Sequence, residues 1–309
     1  MSITRYALSR LIATIPTLIA LTILVFLMLQ LVPGDPAEIF LGEKRSTPEL
    51  LEQVRQDMGL DKPLHMQYLT YMGGVVRGNL GDSLFNKQPV LEQILDALPY
   101  TLTLALSALL ISTVLGLTLG IVSALRHNTW IDSLAMGFAL IGVSMPVFWL
   151  GLLMILIFSV NLKWFPPMGQ GSLDRLVLPA LTLGLLSSAT LARLVRSSML
   201  DALTDDYIRT ARAKGLRERA VVTRHALRNA LIPAVTVMGL QFGGLISGAV
   251  ITETIFARVG LGKMYVESIL NKDMTMIQGL TLVLALMIML INILVDLSYA
   301  VIDPRIRYE

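Results

Sequence analysis

The stretch from Pro99 to Leu125 reads PYTLTLALSALLISTVLGLTLGIVSAL and contains no charged side chain. As a helix it would be roughly 40 Å long, which exceeds the ~30 Å hydrocarbon core of a bilayer. In lipid every backbone N–H and C=O must be paired within the protein, so only helices and closed barrels span a membrane. Because this run is far too long for a barrel strand, it predicts a transmembrane α-helix.

Five further apolar runs of similar character flank this one. The six predicted spans are residues 11–32, 99–125, 133–160, 177–195, 231–252 and 276–301. Composition agrees, since 54% of the residues are hydrophobic and 15% are charged, against about 45–50% and 25% in a soluble domain. The predicted fold class is an all-α integral membrane protein with about six transmembrane helices.

Two of these spans have unusual features. The first follows Arg5 and Arg10 as a signal peptide would, but it is long and lacks a small-x-small cleavage site, so we interpret it as an uncleaved helix. The third contains Pro146, which removes a backbone donor and favours a kink. Since neither half of the third span is long enough to cross by itself, we predict one long kinked helix.

The distribution of positive charge predicts the orientation. With the N-terminus inside, the inner segments hold 14 Lys and Arg against 7 Asp and Glu, whereas the outer segments hold 11 against 14. The inner segments are 1–10, 126–132, 193–230 and 303–309, and the outer segments are 33–98, 161–176 and 253–275. Because cytoplasmic loops are enriched in Lys and Arg, both termini are predicted to be cytoplasmic.

The outer segment 33–98 is long enough to hold structure of its own. Thr47-Pro48-Glu49 predicts a helix start, with a capping hydroxyl, a proline at the first position and an acid at the positive end of the dipole. Gly59 is predicted to end that helix, and Gln88-Pro89 to start another short helix before the second span. The segment is either plain surface or a docking platform for an external partner.

We divide the chain accordingly into three parts. Residues 1–93 are the N-terminal transmembrane helix with the external segment. Residues 94–301 are a five-helix core that includes an inner loop at 196–230, and residues 302–309 are a cytoplasmic tail.

That inner loop is rich in basic side chains. A cytoplasmic location is enough to explain this, because cytoplasmic loops are generally enriched in Lys and Arg. The basic residues of the loop are Arg196, Arg209, Arg212, Lys214, Arg217, Arg219, Arg224 and Arg228. The order of residues indicates more, because Asp205 and Asp206 suit a helix start and residues 207–214 favour helix. Gly215 then interrupts the helix, which is predicted to resume from Leu216. A short helix, a glycine turn and a second helix form a rigid projection suited to contact with a partner.

The stretch Tyr207-Ile208-Arg209-Thr210-Ala211-Arg212-Ala213-Lys214-Gly215 resembles the cytoplasmic loop motif of bacterial ABC-importer permeases. The general motif begins Glu-Ala-Ala and has Gly at its seventh place. Here Arg209 replaces the acid, as is typical of the dipeptide/oligopeptide/nickel branch. In that family the loop forms a coupling helix that sits in a groove of the ATPase subunit. The resemblance implies an ATPase-coupling role for Asp206, Tyr207, Ile208, Arg209, Thr210, Ala211, Arg212, Ala213, Lys214 and Gly215.

Other stretches resemble the same branch along nearly the whole chain. They are Ile15-Pro16-Thr17, Pro33-Gly34-Asp35-Pro36, Gly78-Asn79-Leu80-Gly81, Glu253-Thr254-Ile255-Phe256, Val295-Asp296 and the ending from Asp303 to Tyr308. Val259 departs from the family, which usually has proline before Gly260-Leu261-Gly262.

The resemblance implies a type I ABC-importer permease-like fold in the bacterial inner membrane. It identifies the permease subunit with the long external segment. The implied partners are a paralogous permease, two ABC ATPase subunits and an external substrate-binding protein. ATP and magnesium would be bound by the ATPases. The solute would be a di- or oligopeptide, with glutathione or a nickel chelate as alternatives within the same branch.

No catalytic or cofactor site is predicted in this chain. The nearest phosphate-loop fragment, Gly260-Leu261-Gly262-Lys263, has Ala257 in place of the first glycine and is followed by Met264 instead of Ser or Thr. There is no cysteine, and the three histidines are far apart in the sequence, which argues against an enzyme and against a metal site in the spans. The net charge of +3 is too small to indicate nucleic-acid binding.

Polar residues in the spans keep an ion-coupled secondary transporter as the alternative of another class. Gln241 and Ser247 either line a substrate path or serve packing. Asp296 lies in the last span near its inner end, within reach of water or Arg193. It either forms a structural pair or takes part in transport.

Small-residue pairs predict close helix packing, either within the chain or against a second permease. They are Gly116 with Gly120, Gly239 with Gly243, and Gly244 with Gly248.

Overall fold

The computed structural model describes residues 3–31, 37, 47–57 and 59–302. Within them the regular structure is helical, apart from an isolated bridge between Asp82 and Pro89. The helices are α1 (Ile3–Leu31), α2 (Pro48–Asp57), α3 (Leu64–Val76), α4 (Val90–Leu125), α5 (Trp130–Ser144), α6 (Val147–Met154), α7 (Asp174–Thr204), α8 (Asp206–Ala213), α9 (Glu218–Ala220), α10 (Leu227–Ile255), α11 (Leu261–Leu270) and α12 (Met274–Ile302). A π-helical turn, Ile155–Asn161, extends α6, and another, Val221–Ala226, joins α9 to α10.

Long apolar helices occupy the predicted spans. In the described part of the chain, α4, α7, the continuous helix from α9 to α10, and α12 are each long and apolar enough to cross a membrane, and α5 with α6 makes a fifth candidate. The described apolar part of α1 is Ile12–Met28. The all-α membrane fold is therefore confirmed, whereas the number six stays a prediction. The family-like stretches 33–36 and 303–308 lie outside the described residues.

The prediction of one long kinked helix for the third span is wrong. Helix α5 ends at Ser144, α6 begins at Val147, and the two are bent by 110°. Met145 and Pro146 between them are extended, with ψ of 132° and 138°. Because the ring of a proline disfavours helical geometry in the residue before it, the chain breaks here instead of bending smoothly.

The outer segment follows its predictions in part. Helix α2 begins at Pro48, with the Leu50 amide donating to Thr47 Oγ1 at 3.4 Å, and Gly59 has the positive φ of +68° that suits a helix stop. The separate short helix after Pro89 is absent, because α4 runs without interruption from Val90 to Leu125. Pro99 lies inside it, although a proline removes one backbone donor from a helix and crowds the carbonyl four residues earlier.

Among the described residues, the core consists of three apolar clusters, each joining several helices. One joins α4, α7, α10 and α12 and includes Leu104, Ala180 and Ile246. A second joins α4, α11 and α12 near Ile94, Leu261 and Leu280. The third surrounds Leu191, Val195 and Met199 of α7 and extends into the inner loop. The loop is thereby packed onto the ends of the spans.

Helices α4 and α7 are in close contact where α4 carries its glycine pair. A Cβ on Gly116 would lie 2.8 Å from Leu191, and one on Gly120 would lie 2.7 Å from the Ala192 carbonyl oxygen. This pair therefore serves packing within the chain. On α10 a Cβ at Gly239 would meet Val295 of α12, whereas one at Gly244 would meet nothing within 4 Å.

The orientation leads to a labelling prediction that uses the absence of native cysteine. Glu49→Cys and Asp82→Cys are expected to react in intact cells with a membrane-impermeant thiol reagent, because the distribution of Lys and Arg predicts that they lie outside. Arg217→Cys is expected to react only after permeabilisation. Labelling of Arg217→Cys in intact cells would contradict the predicted orientation.

Candidate functional site

Helix α8 presents one face to the protein and the other to solvent. Ile208 and Ala211 lie three residues apart and are 0% and 5% exposed within the cluster around Met199. The remaining residues of the predicted coupling motif are exposed: Asp206, Tyr207, Arg209, Thr210, Arg212, Ala213, Lys214 and Gly215. The helix is thus fixed by its apolar face and displays a polar surface of both charge signs.

Gly215 ends α8 in a defined turn. Its φ is +76°, its amide donates to the Arg212 carbonyl at 2.9 Å, and the Leu216 amide donates to the Ala211 carbonyl at 3.4 Å. This is the Schellman arrangement, in which a left-handed residue closes a helix. No atom would lie within 4 Å of an added Cβ. The glycine is therefore required by backbone conformation and not by close approach.

An ion pair crosses the same turn. Arg212 Nη2 donates to Glu218 Oε1 at 2.7 Å, and Arg212 Nε donates to Glu218 Oε2 at 3.1 Å. The hydrogen bond to Glu218 raises the pKa of the Arg212 guanidinium further above its usual range. The pair joins the end of α8 to the start of α9. Helix α9 begins at Glu218, two residues after Leu216, where the sequence predicted that the helix would resume.

A polar network that sequence analysis missed connects α4, α5 and α7 at the predicted inner side. Arg196 Nε and Nη2 donate to the two oxygens of Asp132, each at 2.8 Å. Ser123 Oγ also donates to Asp132, as does the Asn128 amide at 3.1 Å. His127 Nδ1 lies 3.3 Å from Asp132 Oδ2 and 3.0 Å from Arg196 Nη2.

The network fixes the helix that leads into α8. Arg196 lies on α7, whose last residue Thr204 is followed almost directly by Asp206. The Asp132 side chain is 7% exposed and that of Arg196 is 24% exposed. Asp132 and Arg196 are 64 residues apart in the sequence. The only sequence signal of the pair was that Asp132 is an acid in the short inner segment 126–132.

A second polar network, also missed by sequence analysis, is centred on Glu253, the first residue of the family-like stretch Glu253-Thr254-Ile255-Phe256. Glu253 at the end of α10 is buried, accepts from Thr101 Oγ1 at 2.6 Å, and accepts from the Gly262 amide at 2.8 Å. The carboxylate thereby occupies the N-terminus of α11, whose free amides and dipole favour an anion.

At the position where the family usually has proline, the Val259 amide donates to Gln170 Oε1 at 2.9 Å, a bond that proline cannot make.

The two predicted path residues have different surroundings. Gln241 Nε2 donates to the Ser187 carbonyl at 2.9 Å, and its Oε1 accepts from Ser112 at 3.4 Å, so it joins α10 to α7 and α4. Ser247 is exposed on another face of α10. The structure does not bring the two together, and it gives Gln241 a packing role.

Asp296 lines a cleft of about 460 Å³ between α1 and α12. The other polar residues of the cleft are Thr14, Thr17 and Asn292. Arg193 is exposed on α7 and does not line it. Within the described ranges, no group of three or more His, Asp or Glu side chains has metal-binding geometry.

The chain matches the family of binding-protein-dependent transport system inner membrane components over residues 116–308. Residues 3–105 match the N-terminal part of the same kind of membrane component. The chain belongs to this family. It is accordingly a multi-pass inner-membrane permease subunit of an ABC importer, and a non-catalytic one.

Curated relatives match this permease along almost its whole length. It is 44% identical over 304 residues to a glutathione transport system permease protein, GsiC, of Salmonella paratyphi A, covering 98% of this chain and 99% of the relative. It is 43% identical over 323 residues to a di/tripeptide transport system permease protein, DppB, of Pseudomonas aeruginosa, covering 96% of each chain.

Solved transporter structures share the fold of this permease. The inward-facing MetNI methionine ABC transporter superposes with a TM-score of 0.59 at 19% identity, covering 68% of this chain and 96% of that chain. An amino acid ABC transporter crystallised with histidines gives a TM-score of 0.55 at 16% identity, covering 67% and 92%. The type I importer-like fold is therefore confirmed, and at this identity the likeness concerns the fold alone.

Proposed function

We propose that this permease forms one half of a translocation path for short peptides delivered by an external binding protein. The observation that carries the proposal is the near-full-length similarity to permeases named for di- and tripeptides and for glutathione. Glutathione is itself a tripeptide, so the two names share one solute chemistry. A path that accepts a short peptide backbone with varied side chains serves both.

The proposed complex contains this chain, a paralogous permease, two ABC ATPase subunits and the binding protein. ATP and magnesium are bound by the ATPases. The exposed face of α8 docks on an ATPase, and the packing of Ile208 and Ala211 against α7 carries the ATPase motion to the spans. ATP shifts the equilibrium between inward- and outward-open states by its differential affinity for them.

The proposal is tested by growth of an auxotroph that lacks this gene and other peptide importers. With the required amino acid supplied only as a di- or tripeptide, growth is expected to fail and to return with this gene and its own partner genes. Supply of the free amino acid is the control, and it should restore growth without the gene. Growth of the same strains with glutathione as the sole sulfur source distinguishes uptake of glutathione from uptake of di- and tripeptides.

Other outcomes would contradict parts of the proposal. Unaffected growth on peptides and glutathione, with loss of nickel-dependent urease or hydrogenase activity, would replace the peptide by a nickel chelate. Uptake that survives ATP depletion but stops when the ion gradient collapses would indicate a secondary transporter instead.

A further inference from the structure

Helix α3, Leu64–Val76, lies in the connection assigned to the outside, yet its composition is that of a membrane segment. The 14 residues between Lys62 and Arg77 include no acidic residue, lysine or arginine. None of the residues of α3 is buried in the described structure, and Leu69 and Val76 are 60% and 81% exposed. Four of the six exposed residues of α3 are apolar, the other two being His65 and Thr70. An exposed helix surface that is mostly apolar is normally covered by a protein core or by lipid.

Contacts with α1 place α3 below the membrane surface. Thr22 Oγ1 lies 2.9 Å from Tyr68 Oη, and the Phe26 ring lies 5.5 Å from that of Tyr68 and 6.1 Å from that of Tyr71. Thr22 precedes the end of the predicted span 11–32 by ten residues, which is roughly 15 Å along a helix. By this count the contact lies close to the midplane of a hydrocarbon core about 30 Å thick.

A second contact gives the depth from another helix. Gln278 Nε2 donates to the Val25 carbonyl at 3.3 Å, and Gln278 is two residues inside the predicted span 276–301. Thr22 is about one turn deeper than Val25, which places it roughly 7 Å below the outer boundary. The two counts, roughly 15 Å and roughly 7 Å, place the Thr22 contact between the midplane and the outer boundary of the hydrocarbon core.

The chain returns to the outer surface directly after α3. The Leu84 and Phe85 amides donate to Asp273 at 3.1 and 3.4 Å, and Ser83 Oγ also donates to this carboxylate, which caps the start of α12. With 13 residues, α3 is about 20 Å long, which is too short to span. The chain therefore enters the outer leaflet and returns to the same side of the membrane.

We propose that α3 is an interfacial helix whose free face binds phospholipid of the outer leaflet. Tyr68 and Tyr71 face α1, whereas Met66, Leu69 and Val76 recur at helical spacing on the opposite face, against the acyl chains. Lys62 and Arg77 flank the apolar stretch, and their long side chains can extend towards the headgroups, where their charges suit phosphate. The lipid-covered face continues the exposed apolar surface of α1 around Ile19 and Ile23.

Spin labels on single cysteines test this in the intact importer complex, reconstituted in phospholipid nanodiscs without binding protein. Labels at Leu69→Cys and Val76→Cys are expected to collide several-fold more often with molecular oxygen than with the water-soluble nickel chelate NiEDDA. Ile19→Cys on α1 is the matched lipid-facing control, and Glu49→Cys on α2 is the aqueous control.

Two results would overturn the assignment. Greater accessibility to NiEDDA at both α3 sites, as at Glu49, would place the helix in water. Low accessibility to both reagents would show that protein covers this face. The measurement requires no transport, so it is independent of the solute proposed above.

Discussion

Replacement of Gly215 by leucine is expected to abolish solute uptake while the complex still assembles in the membrane. The residue closes α8 at a φ of +76°, a conformation that costs a β-carbon-bearing residue about 1–2 kcal/mol. A leucine there would distort the Schellman turn or project from the surface that we assign to ATPase docking. In proteoliposomes, stimulation of ATP hydrolysis by solute-loaded binding protein is expected to disappear together with uptake.

Two matched variants separate backbone conformation from surface chemistry. Gly215→Asn is expected to retain most activity, because asparagine tolerates the left-handed conformation, and no atom lies within 4 Å of the added Cβ. Arg209→Ala is expected to have a mild effect, since a lone exposed charge contributes under about 1 kcal/mol. Wild-type uptake by well-assembled Gly215→Leu would refute the coupling role of this turn.

Replacement of Arg196 by methionine is expected to destabilise the permease by on the order of 3 kcal/mol. The substitution leaves the buried Asp132 carboxylate without the guanidinium that donates to both of its oxygens. Helix α7 then loses its ion pair with α5, whereas the bond from Ser123 of α4 to Asp132 remains. The thermal unfolding temperature of the detergent-solubilised complex is the measurement, with the yield of monodisperse complex as a second readout.

A double variant distinguishes an unpaired buried charge from general damage. Asp132→Asn combined with Arg196→Met removes the charge together with its partner and is expected to recover part of the stability. Arg212→Ala, at the exposed Arg212–Glu218 pair, is expected to cost less than about 1 kcal/mol. Equal losses in Arg196→Met and Arg212→Ala would show that the Asp132 network is not a stabilising element.

The membrane fold and the inner-loop helix α8 were predictable because their causes are local. Long uncharged runs specify spanning helices through the cost of unpaired backbone groups in lipid. The start at Asp205 and Asp206 and the stop at Gly215 follow from end chemistry within a few residues, and α8 has those bounds. The break at Pro146 is also local, but the extent of the bend depends on what the two halves pack against.

The polar networks were not predictable, because their members meet only in the folded chain. Asp132 and Arg196 are 64 residues apart, and Thr101 and Glu253 are 152 apart. Nothing in the neighbourhood of Glu253 indicates that its carboxylate occupies the start of α11. The contacts of Gln241 were equally unpredictable, since its side chain joins α10 to α7 and α4.

By itself, therefore, the sequence determined the solvent in which this protein folds, the approximate positions of its helices and the ends of its inner-loop helix. Those properties depend on hydrophobic run length, charge and helix-end residues, which act over one or two turns. Only the tertiary structure decided which polar side chains pair, which glycines are contact points and that α3 packs against α1. These depend on distances between helices, and residues far apart in sequence become neighbours only once the apolar faces have packed together.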